Sequence, residues 1–407
     1  MSSEGFAEVI ARAGVCDGPD PALNAILSSV GLVDHHVHGI ARGRVDAAAF
    51  ADMMIESDRR SAAEAAGYDT QVWYAARRWC APFLGLPPSV PIRDYLEARL
   101  ALTNEAVAEL MLPGAGFEHL VVETGFRGDR VSSPDELGRI AGAPASRVIR
   151  LEALAERLIA EVADAGDYPA AFRQALAEAL AGTDPAVATK TILAYRGGFD
   201  RDLSRPDDGL AADAARRWAA AVRADAPAMR AGAPARLVDD VLLRFGIWAA
   251  VDSGRPLQVH VGFGDPDLDL HRADPLLLTA FLRETEGRAP ILLLHTYPFQ
   301  RSAGYLAQMF PHVYLDVGLA INYAGAAAAS IVAESMELAP FSKLLFSSDA
   351  WGAPELHLLG SWLWRRATAR ILGEWVARGD WSRDDAERAV RLIAGENARR
   401  VYGLPHL

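Results

Sequence analysis

Several features that would assign a chain to a familiar class are scarce or missing. Only two cysteines, Cys16 and Cys80, occur in 407 residues, which excludes a disulfide framework of the secreted type. Nearly all basic residues are arginine, so lysine is scarce. No stretch approaches the roughly 18 uncharged apolar residues of a membrane span, and no signal peptide is apparent. These absences predict a soluble cytoplasmic protein with no membrane partner.

An excess of basic charge is also missing. The chain has 53 acidic and 41 basic residues and a formal net charge of −12. A surface that binds nucleic acid or an anionic membrane needs a basic face, so the balance argues against both partners. Half of the residues are hydrophobic, which is enough for a large core. We expect a small-molecule ligand; a homo-oligomer is compatible with this composition.

Short apolar runs alternate with long segments of helical periodicity. Because strands that alternate with helices form parallel sheets, eight such runs predict an α/β protein with a (β/α)8 TIM-barrel fold. We expect one domain over residues 1–407. The third run is the weakest, because a continuous helix from Ser146 to Ala165 also fits it. The predicted strands are Leu32–His38, Leu120–Thr124, Arg147–Leu151, Val187–Tyr195, Leu257–Val261, Ile291–His295, Val313–Val317 and Lys343–Ser347.

The segment from about residue 43 to 118 is too long for one crossover between parallel strands. Its helical patterns predict a helical insertion after the first strand. Such an insertion would lie above the C-terminal face of a barrel, where active sites form. A lid over the site is one interpretation, and packing or an oligomer interface is the other.

Three histidines are concentrated at the end of the first predicted strand, in Asp34-His-His-Val-His38. Residues two apart in a strand share a face, so His36 and His38 point in one direction and His35 in the other. Two imidazoles that point together are half of a transition-metal site. The alternative is a polar cluster whose histidines are solvated or hydrogen-bonded.

Three more polar residues occur where apolar runs stop. His260 and His295 lie at the ends of the fifth and sixth predicted strands, and Asp349 follows the eighth. The carboxyl ends of barrel strands meet at one face, so these side chains and the first histidine pair are expected to converge there. Burying several unpaired polar groups is costly, and a bound metal removes that cost. The pattern therefore predicts a metal site.

This order of residues resembles the amidohydrolase superfamily of metal-dependent barrels, and the resemblance covers nearly the whole chain after residue 31. The run His-Val-Gly-Phe-Gly-Asp-Pro-Asp-Leu-Asp-Leu at 260–270 is similar to the signature of a narrower group. That group includes the amidohydrolase-like part fused to a glutamine-synthetase-like part in some plant and fungal proteins. Further matching segments are His295–Phe299, Val313–Ala320, Phe346–Ala350 and Ile393–Tyr402.

The resemblance implies one or two divalent ions, Zn²⁺ first, with Mn²⁺ or Fe²⁺ as alternatives. It implies that Asp349 is both a ligand and the general base for a metal-activated water. His295 is either a ligand of a second ion or a mobile acid. The implied metal ligands are His36, His38, His260 and Asp349, joined by His295 if a second ion binds.

Lys190 resembles the carboxylated lysine that bridges two metals in binuclear members of the superfamily. A lysine in an apolar strand of a chain that prefers arginine supports this assignment. However, Lys190 precedes several more strand-like residues and could lie too low in the barrel. The alternatives are an ion pair with Glu123 or Asp316, or a side chain that extends along the apolar surface to water.

Four further residues are candidates for binding substrate. Arg196 offers a planar pair of donors that suits a carboxylate, although a surface salt bridge explains it equally. Tyr195 would lie beside it at the mouth of the barrel. Glu123 would hold a ligand histidine or contact a substrate amine, and Trp351 would form a wall of the pocket.

The predicted enzyme is a metal-dependent hydrolase that cleaves an amide-type C–N bond in a small carboxylate-bearing substrate. A non-oxidative decarboxylase or another lyase with the same ligands is the enzymatic alternative. A binding protein on a decayed barrel would have lost ligands, and all five are present.

Overall fold

Short runs rich in leucine and β-branched residues form parallel strands in the computed structural model, which describes residues 3–224 and 236–405. In these residues one sheet of seven strands pairs in chain order, from β1 to β7. Nearly every strand residue outside β3 is buried, as expected where helices cover a parallel sheet. The strands are β1 Leu32–Val37, β2 Phe117–Glu123, β3 Ala145–Arg150, β4 Ala188–Thr191, β5 Leu257–His260, β6 Ile291–Leu294 and β7 Val313–Leu315.

Helices precede the sheet, connect its strands and follow it. Their starts obey capping chemistry: the side chains of Asp20, Thr103 and Ser133 each accept a hydrogen bond from a backbone N–H in the first turn that follows. The helices are α1 Ser3–Ala13, α2 Pro21–Ser29, α3 Ala47–Met53, α4 Arg60–Ala66, α5 Gln71–Trp79, α6 Ile92–Leu100, α7 Asn104–Met111, α8 Pro134–Ala141, α9 Leu151–Glu161, α10 Tyr168–Ala181, α11 Asp208–Ala224, α12 Asp240–Asp252, α13 Thr279–Thr285, α14 Gln300–Met309, α15 Ala320–Ala324, α16 Ala328–Ser335, α17 Pro354–Ala377, α18 Arg383–Arg391 and α19 Asn397–Tyr402.

The predicted eighth strand, 343–347, is not a strand. It makes only an isolated bridge to β7, between Leu315 and Leu344. Its backbone nevertheless bonds to both edge strands: Leu345 N donates to the carbonyl of Leu315 (3.0 Å), and His35 N donates to the carbonyl of Phe346 (3.1 Å). The sheet is therefore a curled parallel sheet whose first and last strands are joined by an irregular segment.

Two other predicted boundaries are corrected. The alternative of a continuous helix over 146–165 is wrong, because residues 145–150 pair with β2 and β4 before α9 begins. The fourth strand is shorter than predicted: it ends at Thr191, and Leu193–Arg196 form a turn of 3-10 helix. Thr191 and the backbone of Ile192 both donate to the buried carboxylate of Glu152, which ends the strand there. Lys190 thus lies one residue from the carboxyl end of β4.

Helices α3 to α7 lie in the chain between β1 and β2. Helix α6 is attached to α17 by a buried ion pair between Arg99 and Glu355, whose Nε–Oε1 distance is 2.5 Å. Tyr95 donates to the same carboxylate at 3.1 Å, and Asn104 donates to the carbonyl of Gly352. This half of the segment is fixed to the body of the protein.

The C-terminal helix packs against the sheet. Ala398, Tyr402 and Leu404 belong to one buried apolar cluster with Val33 and Val148. The side-chain amide of Asn397 donates hydrogen bonds to the backbone carbonyls of Phe341 and Leu344, at 2.8 Å each. Across the described ranges, every helix is too short or too polar to span a bilayer.

Candidate metal centre

The ends of two elements turn unusually sharply to deliver side chains to one place. His295 follows β6 with φ +60°, and Asp349 ends the joining segment with φ +48°. Residues other than glycine rarely adopt this left-handed conformation, which persists only where the surrounding structure enforces it. The backbone of Asp349 is held by donation from its N–H to the carbonyl of His36, at 3.0 Å.

Asp349 is the centre of the predicted cluster. Its Oδ1 lies 3.1 Å from His36 Nε2 and 3.3 Å from His38 Nε2, and its Oδ2 lies 3.2 Å from His295 Nε2. Ligand atoms of His36, His295 and Asp349 all lie within 4.8 Å of one another, and all three residues are buried. Three of the predicted ligands thus form one compact group, with His38 at its edge.

The buried atoms of this group fit a metal ion. Asp349 Oδ1 and both ring nitrogens of His295 make no hydrogen bond of good geometry within the described part of the chain. Buried polar atoms are almost always satisfied, so a set of unsatisfied ones that face each other indicates a missing ligand. Imidazole nitrogens with one carboxylate are a donor set that suits Zn²⁺, Mn²⁺ or Fe²⁺.

The pKa values of two histidines in the group shift in opposite directions. Burial, followed by the nearby Lys190 ammonium, lowers the pKa of His36 to about 3. Burial opposes charge on His295 as well, but the carboxylates of Asp349 and Asp316 outweigh it and raise the pKa of His295 to about 9. Without an ion, His36 is therefore neutral and His295 is protonated at neutral pH.

Lys190 reaches the same group. Its Nζ lies 3.0 Å from His36 Nε2, the nitrogen that faces Asp349. Burial lowers the pKa of this ammonium, which favours the neutral amine that carboxylation requires. The predicted alternatives, an ion pair with Glu123 or with Asp316, are not formed by these described side chains.

His260 lies beside the cluster but turns its Nε2 away. The carbonyl of Phe263 and the hydroxyl of Tyr195 both lie 3.0 Å from this nitrogen. The carbonyl can only accept, so Nε2 carries the hydrogen. The His260 and His295 ring centres are 5.1 Å apart. Burial and the neighbouring His295 lower the pKa of His260 well below its usual value.

Glu123 occupies the position of a supporting carboxylate. Its Oε2 lies 3.4 Å from His38 Nδ1 and 2.5 Å from an Arg150 nitrogen. Burial alone would raise the pKa of Glu123, but Arg150 and His38 reverse the direction and lower it to about 2. These contacts leave Glu123 little freedom to hold a substrate amine, and its predicted role as the support of a ligand histidine stays a prediction.

A cavity of about 680 Å³ opens above the cluster. Arg196 and Trp351 line it, but Arg196 is already paired with Glu156 at 3.3 Å. Arg127 also lines it, its guanidinium carbon lies 4.2 Å from the ring centre of Trp351, and none of the ion pairs among the described residues includes it. The sequence prediction named Arg196 and missed Arg127, which is the less committed cation.

Three further residues of the site were missed. Gln258 bonds to His36 Nδ1 at 2.8 Å, Asp316 lies 3.5 Å from His295 Nδ1, and Glu56 lines the cavity from the segment after α3. Gln258 was detectable in principle, since it is a polar residue two positions before His260 and so on the same face of β5. Asp316 similarly ends the apolar run of β7. Glu56 carried no such signal.

Comparisons with known proteins find related sequences. A family model described as Amidohydrolase matches residues 33–404. The protein fluG of Emericella nidulans is 28% identical over 290 residues, which are 65% of this chain but 33% of that protein, so the chain spans about a third of that relative's length.

Solved structures show the same fold. A Lactobacillus casei protein inferred to be a metal-dependent hydrolase superposes with a TM-score of 0.77 and 25% identity, over 92% of this chain and 95% of the other. The uronate isomerase of Bacillus halodurans has a TM-score of 0.59 and 15% identity, over 100% and 98% of the two chains.

Proposed function

Because this chain belongs to the amidohydrolase family, we propose that it is a metal-dependent hydrolase that cleaves an amide-type C–N bond in a small carboxylate-bearing substrate. The observation that carries the proposal is the compact group of His36, His295 and Asp349 at the base of a cavity of about 680 Å³. Its buried atoms lack partners that an ion would supply.

A divalent ion bound there, with Zn²⁺ as the first choice, would supply Lewis-acid activation of water and of the scissile group. Asp349 Oδ2 would accept the proton of the attacking water. If one ion binds, His295 would remain free to donate a proton to the leaving nitrogen. If two bind, His295 and a carboxylated Lys190 become ligands.

The cavity suits a substrate that carries a carboxylate. Arg127 is held against Trp351, which orients its guanidinium, and no described carboxylate neutralises it in an ion pair. A planar guanidinium binds a carboxylate through two parallel hydrogen bonds. Arg196 is paired with Glu156, so it would attract the substrate carboxylate by its charge more than by a direct hydrogen bond. Tyr195, between Arg196 and His260, would direct the scissile group.

The segment between β1 and β2 would act as a substrate-selecting lid on a TIM barrel. Ala49, Met53 and Glu56 line the cavity, while the second half of the segment is fixed by the Arg99–Glu355 pair. Long insertions at the carboxyl ends of strands commonly form such covers. The similarity to the fungal fluG protein supports the narrower group proposed from the 260–270 signature.

The test combines metal content with product analysis. Protein purified without chelators and with bicarbonate should hold one or two ions per chain by elemental mass spectrometry, and the His36→Ala, His38→Ala double variant should hold none. His271→Ala, which removes an exposed histidine, is the matched control. Release of ammonia or an amine from carboxylate-bearing amides supports the proposal. Release of carbon dioxide instead would replace it with the lyase.

A further inference from the structure

A chain of buried polar side chains connects two parts of the candidate metal centre through the interior of the sheet. His36 Nδ1 lies 2.8 Å from Gln258 Oε1, and Gln258 Nε2 lies 2.8 Å from the hydroxyl of Tyr402. That hydroxyl lies 2.9 Å from His35 Nδ1, and His35 Nε2 lies 2.9 Å from Asp316 Oδ2. All five residues are at most 3% exposed.

The orientation of the Gln258 amide follows from one contact. Its Nε2 lies 2.9 Å from the backbone carbonyl of His35, which can only accept a hydrogen bond. The amide nitrogen must therefore face that carbonyl, and the amide oxygen must face His36. An amide oxygen cannot donate, so His36 carries its hydrogen on Nδ1. Its Nε2 is left to accept from Lys190 Nζ, at 3.0 Å, and lies 3.1 Å from Asp349 Oδ1.

The remaining links agree with this direction. The Tyr402 hydroxyl accepts from Gln258, so its own hydrogen goes to His35 Nδ1. His35 then donates from Nε2 to Asp316. This is the arrangement in which every hydrogen of the chain has an acceptor. Burial raises the pKa of Tyr402, so its phenol keeps the hydrogen.

We infer that Gln258, held by Tyr402 of the last helix, is a positioning residue that fixes His36 with its hydrogen on Nδ1 and its bare Nε2 aimed at Asp349. The purpose assigned to this arrangement rests on the proposed function, because Nε2 is the His36 atom that would bind the metal. Partners of this kind typically change metal affinity by about 10- to 100-fold when they are removed.

The C-terminal helix is held where this role requires it. A turn of π-helix, Leu392–Glu396, precedes α19, and such turns are frequent at functional sites. Asn397 then fixes the start of α19 with two hydrogen bonds to the carbonyls of Phe341 and Leu344. The position of Tyr402, the last residue of α19, is therefore set by packing and by these bonds.

The test measures the tautomer and the affinity separately. In metal-free protein with ¹⁵N-labelled histidine, long-range ¹H–¹⁵N spectra distinguish a protonated Nδ1 from a protonated Nε2, and His36→Gln assigns the signals. Zn²⁺ affinity is measured by competition with a chelating dye. The variants are Gln258→Met, which keeps the length of the side chain, and Tyr402→Phe. Tyr168→Phe is the matched control, since that buried hydroxyl has no described partner.

We expect Nδ1–H at His36 in the unmodified protein. Gln258→Met should give a mixture of tautomers and a loss of Zn²⁺ affinity of about 10-fold or more, with a smaller loss for Tyr402→Phe and none for Tyr168→Phe. A protonated Nε2 in the unmodified protein would overturn the inference without any variant, and so would unchanged tautomer and affinity in a folded Gln258→Met. If the unmodified protein binds no metal, the proposed function fails, while the tautomer still decides the inference.

Discussion

Replacing the Asp349 carboxylate by an amide should change the titration of His295 more than any other property of the metal-free protein. Asp349 Oδ2 lies 3.2 Å from His295 Nε2, and the two residues are buried. Asp349→Asn keeps the shape of the side chain and removes its charge. The variant therefore isolates the electrostatic part of the cluster from its packing.

The magnitude follows from the pKa of His295. A rise from 6.5 to about 9 corresponds to about 3 kcal/mol of net stabilisation of the imidazolium, at about 1.4 kcal/mol per pKa unit. At 3.2 Å and an effective dielectric constant of about 20, the attraction to Asp349 alone is roughly 5 kcal/mol. Burial cancels part of this, and Asp316 adds to it. Losing Asp349 should therefore lower the pKa of His295 by about two units or more.

The pH dependence of stability has a definite sign. The pKa of His295 is higher in the folded than in the unfolded protein, so its contribution is fully present below pH 6.5 and disappears as the pH rises through about 9. The difference in unfolding free energy between the metal-free protein and Asp349→Asn should shrink across that window. It is measured by urea denaturation at several pH values, alongside the NMR titration of His295.

Asp265→Asn is the matched control, because Asp265 lines the same cavity but does not act on His295. It should leave the titration of His295 unchanged. A pKa of His295 near 9 that survives in Asp349→Asn would refute the reasoning, since the carboxylate would then not be the dominant partner of that imidazole.

Three other changes test the substrate end and the framework. Arg127→Gln should raise the KM for a carboxylate-bearing substrate by about 10-fold or more, in line with a charged hydrogen bond of about 1.5–3 kcal/mol. Arg196→Gln should raise the KM less, because Arg196 is already paired with Glu156. Equal effects of the two variants in steady-state kinetics would contradict the assignment. Glu355→Gln leaves the buried Arg99 without its charge partner and should cost about 3–5 kcal/mol in urea denaturation; a cost below about 1 kcal/mol would show that the pair is dispensable. Gly246→Ala, inside α12 where a Cβ meets only ordinary contacts of 3.5 Å or more, should stabilise by roughly 0.5–1 kcal/mol and raise the Tm.

Hydrophobic periodicity was sufficient to predict the parallel sheet and the histidines at its edge. Strands covered on both faces are continuous apolar runs, so β1, β5 and β6 stand out in the sequence, and the polar residues that follow them converge at one edge. The ring orientation of His260 was beyond such reasoning. It depends on the carbonyl of Phe263 and on Tyr195, and neither contact leaves a trace in residue spacing.

The position of Lys190 along β4 was likewise difficult to predict from the sequence pattern. Its place near the carboxyl end of β4 was uncertain only because the apolar run continues to Tyr195, and the run continues because residues beyond the strand pack in the core as a turn. A run of apolar residues indicates that the segment is buried, but it does not indicate where the strand conformation ends. The end of β4 is set instead by hydrogen bonds to the buried Glu152, a residue from another element.

The residues just after the predicted eighth strand adopt a conformation that no strand pattern could have predicted. In a regular strand, Ser348 and Asp349 would point to opposite faces. Here Ser348 bonds to Asp34 through its hydroxyl and its backbone N–H, at 2.5 and 3.0 Å, while Asp349 turns to φ +48° and reaches three imidazoles. A left-handed residue cannot continue a strand, so no strand could extend through Asp349. The same conformational argument applies to His295: β6 ends at the residue before it, and His295 has a φ of +60°. Local rules are broken at the two positions where the proposed chemistry needs them broken, which is where strain in a folded protein is expected to concentrate.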